Sequence, residues 1–77
     1  MDFIFPLSQL PMGQNATVLK ILTSGTMRRR LQDLGIIPGT QIECVLKSPA
    51  GDPVAYRIRG ALIALRKKDS ETILMNP

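Results

Sequence analysis

The chain has no histidine, no tryptophan and a single cysteine, Cys44, among its 77 residues. The lack of histidine removes the commonest general base, the commonest metal ligand and the side chain that ordinarily titrates near neutrality. One cysteine excludes an internal disulfide and cannot build a zinc or iron–sulfur centre. Aromatic residues are scarce at 4%, being Phe3, Phe5 and Tyr56. Stacking platforms for single-stranded nucleic acid, and grooves for proline-rich peptides, both need more of them. No apolar run approaches the ~20 residues of a membrane-spanning helix. Residues 1–11 show no basic n-region and no long apolar core, so no signal peptide is expected and the cytoplasm is the default compartment. The carboxylates Asp2, Asp33, Glu43, Asp52, Asp69 and Glu71 lack calcium-loop spacing. Gly35 and Gly39 are not followed by the Lys-Ser/Thr of a phosphate loop. Ser24, Ser48 and Ser70 have no base to activate them. The expectation is a protein that is not an enzyme and holds no cofactor of its own.

Apolar residues make up 44% of the chain, enough for a small core, and the length suits one domain, 1–77. The net charge of +4 favours an acidic partner surface, a membrane face or nucleic acid, without choosing among them. The densest information lies in Thr26 to Thr40, TMRRRLQDLGIIPGT. Met27, Leu31 and Leu34 stand at i, i+4 and i+7, the apolar stripe of a short helix. Ser24 or Thr26 suits its N-cap. Gly35 falls where a helix ends in the left-handed region, and Ile36 is placed to pack back on Leu31. Ile37-Pro38-Gly39-Thr40 suits a type II turn, with Pro presetting φ and Gly supplying φ > 0.

The remaining elements read as short strands. Ala16 to Leu22 is rich in β-branched and apolar residues. Gln41 to Lys47 places Ile42, Cys44 and Leu46 on one face, and Cys44 reads as a small buried hydrophobe. Val54 to Arg59 alternates Val54, Tyr56 and Ile58 against Ala55, Arg57 and Arg59. Gly60 marks a tight turn before Ala61 to Leu65, and Ile73 to Met75 closes the chain. Leu7 to Leu10 reads as a single turn with Ser8 as cap, Ser48 to Pro53 as a hairpin loop, and Arg66 to Glu71 as a polar or helical turn. The fold class is mainly β: a small Src-homology-3-like barrel of about five short strands, with a short helix inserted after the first strand. Curling into a barrel removes most of the exposed edges that so small a sheet would have.

Arg28, Arg29 and Arg30 point in three directions about 100° apart, so they form no flat patch. Arg29 is spaced to pair with Asp33. These arginines read either as a solvated helix face or, with Arg57 and Arg59 and extended by Arg66, as a docking surface for an acidic partner. The partner-binding candidates are Arg28, Arg29, Arg57 and Arg59.

Four pieces of the sequence occur in a telling order. They are Leu7-x-x-Leu10-x-x-Gly13-x-x-Ala16-x-Val18, then Arg30-Leu31-x-Asp33-Leu34-Gly35-Ile36-x-Pro38-Gly39-Thr40. Asp52-Pro53-Val54 and Arg59-Gly60-x-x-Ile63-Ala64-Leu65-Arg66 follow. From Leu7 to Ile73 the chain thereby resembles the FeoA family, small cytoplasmic proteins of bacterial ferrous iron transport. The resemblance makes Leu31, Leu34, Gly35, Pro38, Gly39 and Gly60 the structural motif. It implies a Src-homology-3-like barrel and a regulatory or assembly role, through protein contact, at the permease FeoB. FeoB has a cytosolic G domain and a transmembrane transport region, so membrane association would come only through that partner. Association with ferrous iron is implied by the resemblance alone. A homo-oligomer is left open and no nucleic acid is expected. The same domain type resembles the C-terminal module of iron- and manganese-dependent repressors, which share the Arg59-Gly60 element and the Leu-Gly-x-x-Pro-Gly turn. The rival readings are therefore a free-standing metal-responsive regulatory domain and a small basic nucleic-acid-binding barrel.

Overall fold

Short alternating segments joined by glycine turns fold here into one antiparallel sheet around one core. The computed structural model describes residues 3–77, and Asp2 of the carboxylate set lies outside them. In chain order the elements are β1 (Phe5–Pro6), a 3-10 turn (Leu7–Gln9), β2 (Asn15–Ile21) and α1 (Gly25–Asp33). Then come β3 (Gln41–Lys47), β4 (Val54–Ile58), β5 (Ala61–Leu65), α2 (Lys67–Ser70) and β6 (Ile73–Asn76). The strands lie in the order β1-β6-β2-β3-β4-β5, and every pairing is antiparallel.

The period-two pattern assigns the faces. Ala16, Val18 and Ile21 of β2, Ile42 and Cys44 of β3, and Val54, Tyr56 and Ile58 of β4 are all buried. They meet Phe5, Leu65, Ile73 and Met75 from the other strands, so all six strands feed a single cluster. Leu31 and Ile36 seal one side of that cluster and Leu7 and Leu10 another, while Met27 and Leu34 pack against it half-buried. Burial of this apolar surface, at roughly 25 cal/mol per Å², is the main stabilising term for so small a domain.

The structure corrects several expectations. Among the described residues there are six strands, and α1 follows the second of them. Phe5–Pro6 is too short to show a period, and it forms a strand only because Phe5 and Pro6 pair with Met75 and Leu74. Its proline is tolerated there because β1 is an edge strand. The 3-10 turn begins after Pro6, with no side-chain cap from Ser8. Ser24 occupies the N-cap position of α1 but its hydroxyl makes no cap hydrogen bond. Leu46 leaves the core face: the β3–β4 register shifts between Cys44 and Leu46, and Leu46 is 60% exposed. An extra residue in one strand reverses the facing of those beyond it, and alternation alone does not reveal it. The pair between Arg29 and Asp33 does not form; among the described residues the ion pairs are Arg57–Glu43 and Arg66–Asp52.

Candidate functional site

The helix stop and the turn after it build one wall of the site. At the end of α1 the Gly35 N–H donates to the Gln32 carbonyl at 2.9 Å and the Ile36 N–H to the Leu31 carbonyl at 3.0 Å. These are the two bonds of a Schellman motif, and Gly35 sits between them at φ 96°. The Thr40 N–H then closes the Ile37–Thr40 turn on the Ile37 carbonyl at 3.0 Å, with Gly39 at φ 92°. Two bonds of 2.8 Å, Gly39 N–H to the Val18 carbonyl and Val18 N–H to the Thr40 carbonyl, fix the turn onto β2. The chain thus leaves α1 in one direction only and enters β3 with Gln41 on the outer face.

The β4–β5 hairpin builds the other wall. Ile58 pairs with Ala61, so Arg59 and Gly60 alone make the turn. Both have positive φ, 52° and 84°, as a type I′ turn requires. The stem of Arg59 runs across the helix end. A Cβ on Gly35 would stand 2.6 Å from Arg59 Cδ. Gly35 therefore serves twice, as helix stop and as the floor under the arginine.

Two open hollows adjoin here. The larger, about 530 Å³, is lined by Ile37, Pro38, Gly39, Thr40, Gln41 and Arg59. The smaller, about 180 Å³, is lined by Asn15, Gln41, Glu43, Arg57, Arg59 and Gly60. Gln41 and Arg59 belong to both. Arg57 Nε lies 3.5 Å from Glu43 Oε1 with both side chains about half exposed, and such surface pairs add little stability. Gln41 donates from Nε2 to Asn15 Oδ1 at 3.2 Å.

Of the four sequence-predicted docking arginines, the structure brings Arg57 and Arg59 together. It directs Arg28 elsewhere: Arg28 Nη1 donates to the Ile21 carbonyl at 3.1 Å and ties α1 to the end of β2. Arg29 is exposed on the helix and lines neither hollow. Sequence reading missed Ile37, Thr40 and Gln41 as neighbours of Arg59. The signal that places Gln41 there is the β3–β4 register, since Ile42 opposes Ile58.

The model of the FeoA domain matches residues 5–77. The chain belongs to the FeoA family. It is 34% identical, over 87% of its length, to the "Fe(2+) transport protein A/Fe(2+) transporter FeoB fusion protein" of Porphyromonas gingivalis, and it spans only 8% of that relative. Among solved structures, the FeoA-like protein of Clostridium acetobutylicum shares 34% identity at a TM-score of 0.88, covering 99% of this chain and 88% of that one. The FeoA of Stenotrophomonas maltophilia complexed with zinc, a prokaryotic SH3 domain protein, shares 26% at 0.84, covering 94% and 89%. A manganese-dependent transcriptional repressor superposes at 0.85 with 17% identity over 42% of its chain, a likeness of fold alone.

Among the described residues no three His, Cys, Asp or Glu side chains lie close enough together to hold an ion. The single thiol, Cys44, is fully buried in the core.

Two buried acids give this FeoA domain an alkaline limit. Burial pushes the Cys44 thiol up, with the Lys47 charge opposing in part, and burial likewise pushes the Tyr56 hydroxyl up, with the neighbouring Ser70 hydroxyl opposing. A raised acid holds its proton in the folded state while the unfolded chain loses it. Stability is therefore complete below the unfolded thiol value, about 8.5, and falls as pH rises above it, with a second loss from about 10. Urea midpoints measured between pH 7 and 11 should show this decline. The Cys44→Ser variant should lose the part that begins at the thiol's value, and a flat profile in the parent chain would refute the assignment.

Proposed function

We propose that this chain is a non-enzymatic accessory protein of bacterial ferrous iron uptake, working by direct contact with the permease FeoB. The fusion carries the reading: a domain 34% identical to this one is joined to FeoB in a single polypeptide. A covalent tether replaces a binding equilibrium with an effective concentration of about mM, a gain only for domains that touch. The Stenotrophomonas relative, put forward as a candidate activating factor for ferrous iron transport, supports the same reading. Among the described residues no helix is long and apolar enough to cross a membrane; contact with FeoB would itself bring the chain to the inner membrane face.

The test pairs binding with transport. Tagged chain is mixed with detergent-solubilised FeoB after nuclease treatment, and ferrous iron uptake is followed in cells with and without the chain. A nuclease-resistant complex and lower uptake without the chain are expected. No complex together with unchanged uptake would overturn the reading.

A further inference from the structure

We propose that the hollow between the Ile37–Thr40 turn and the β4–β5 turn binds an acidic side chain, with an apolar neighbour, from an extended segment of a protein partner. The proposal rests on the reading above in taking FeoB to be that partner.

The first observation is backbone strain. Arg59 is the only non-glycine with positive φ among the described residues, at 52°. Glycine or asparagine serves that turn position at less cost, so an arginine there points to a use for its side chain. The second is room for the stem. The Arg59 stem passes over Gly35, where a Cβ would stand 2.6 Å from Arg59 Cδ. The absence of a side chain at Gly35 thus leaves the arginine a path along the hollow.

The third is unspent charge. The larger hollow contains Arg59 and no carboxylate among its lining residues. Among the described residues no acid lies within ion-pair distance of Arg59, whereas Arg57 is already shared with Glu43. The site therefore offers one free fork of donors, which matches a single carboxylate. Gln41 stands beside it with an amide that can add a hydrogen bond. The fourth is the apolar flank. Ile37 is 39% exposed and, with Pro38, lines the same hollow. A residue next to the acid would seat there. The overall +4 charge steers such a segment toward the chain.

Nucleic acid fits the hollow less well. A polyanion calls for a row of cations and stacking aromatics. The larger hollow has one cation and no aromatic residue.

The test uses the full chain in two arms. In the first, the isotopically labelled chain is titrated by NMR with a blocked peptide containing Leu-Glu-Leu, and with the same peptide carrying glutamine for glutamate. The glutamate peptide should shift Ile37, Gly39, Thr40, Gln41 and the Arg59 side chain, and the glutamine peptide should not. Shifts confined to the helix arginines, or none, would overturn the site. So would a short oligodeoxythymidylate that moves the same signals at lower concentration. In the second arm, Arg59→Gln and Ile37→Ser are compared with the parent chain for binding to solubilised FeoB, with Arg30→Gln as a control of equal charge change. Arg59→Gln should weaken binding about tenfold and Arg30→Gln less than about twofold. Circular dichroism confirms that each variant is folded, and Ile37→Ser carries the arm if Arg59→Gln is not. Parent-like binding by both hollow variants would overturn the site. Peptide binding at the hollow with no FeoB binding by the parent would instead overturn the choice of FeoB and leave the hollow standing.

Discussion

Truncating Tyr56 to alanine is expected to cost about 3–5 kcal/mol, the largest loss available from one side chain in this fold. Tyr56 is 1% exposed and is the largest of the fully buried residues. It stands at the centre of β4, opposite Cys44 on β3 and Ile63 on β5, so its removal opens a cavity between three strands. Its hydroxyl also reaches the Leu7 carbonyl at 3.5 Å, a long bond that helps hold the 3-10 turn over the core. Small domains have about 5–15 kcal/mol of stability in total, so Tyr56→Ala should show a broad transition or none in urea. Tyr56→Phe keeps the ring and should cost about 1 kcal/mol, the net value of one hydrogen bond. If Tyr56→Ala unfolded at the parent midpoint, the core would not be organised around this ring.

Gly35→Val should cost about 2–3 kcal/mol, the upper part of the range that an unfavourable φ/ψ region costs. Part of the loss is backbone: φ of 96° is strained for any β-branched residue. The rest is steric, because the new Cβ would stand 2.6 Å from Arg59 Cδ and the arginine stem must shift. Gly39→Val makes the comparison clean. Gly39 has a similar φ of 92°, yet a Cβ there meets nothing within 4 Å. Chemical denaturation of both variants should show the larger loss at Gly35, and the Arg59 side-chain signals should move only in Gly35→Val. Equal losses at the two glycines would remove the steric half of the account.

These two positions differ in how far the sequence discloses them. The outline of the fold was legible wherever local chemistry and the tertiary result agree. Gly35, Pro38 and Gly39 each have a backbone role that short-range sterics dictate, and β3 and β5 keep the bounds that the sequence predicts for them. Features created by pairing were hidden. Phe5–Pro6 is a strand only because β6 lies beside it, and Leu46 is exposed only because of the register shift after Cys44. The candidate arginines were legible as charge and not as geometry. Nothing local reveals that Arg28 turns back to the Ile21 carbonyl. The position of Arg59 depends on two turns, 20 residues apart in sequence, arriving at the same place.

The position of β6 has a consequence for biosynthesis. This last strand is an interior member of the sheet, lying between β1 and β2. It supplies Ile73 and Met75, both 0% exposed, to the core. A nascent chain that stops short of it holds β1 without a partner and β2 with one side bare. Native structure therefore waits until Asn76 has cleared the ribosome, however early the β3–β4–β5 meander forms. Until then the apolar faces of the strands depend on chaperones, or on speed, to avoid other chains. A product terminated before Ile73 would be a substrate for proteolysis and not a weaker version of the protein.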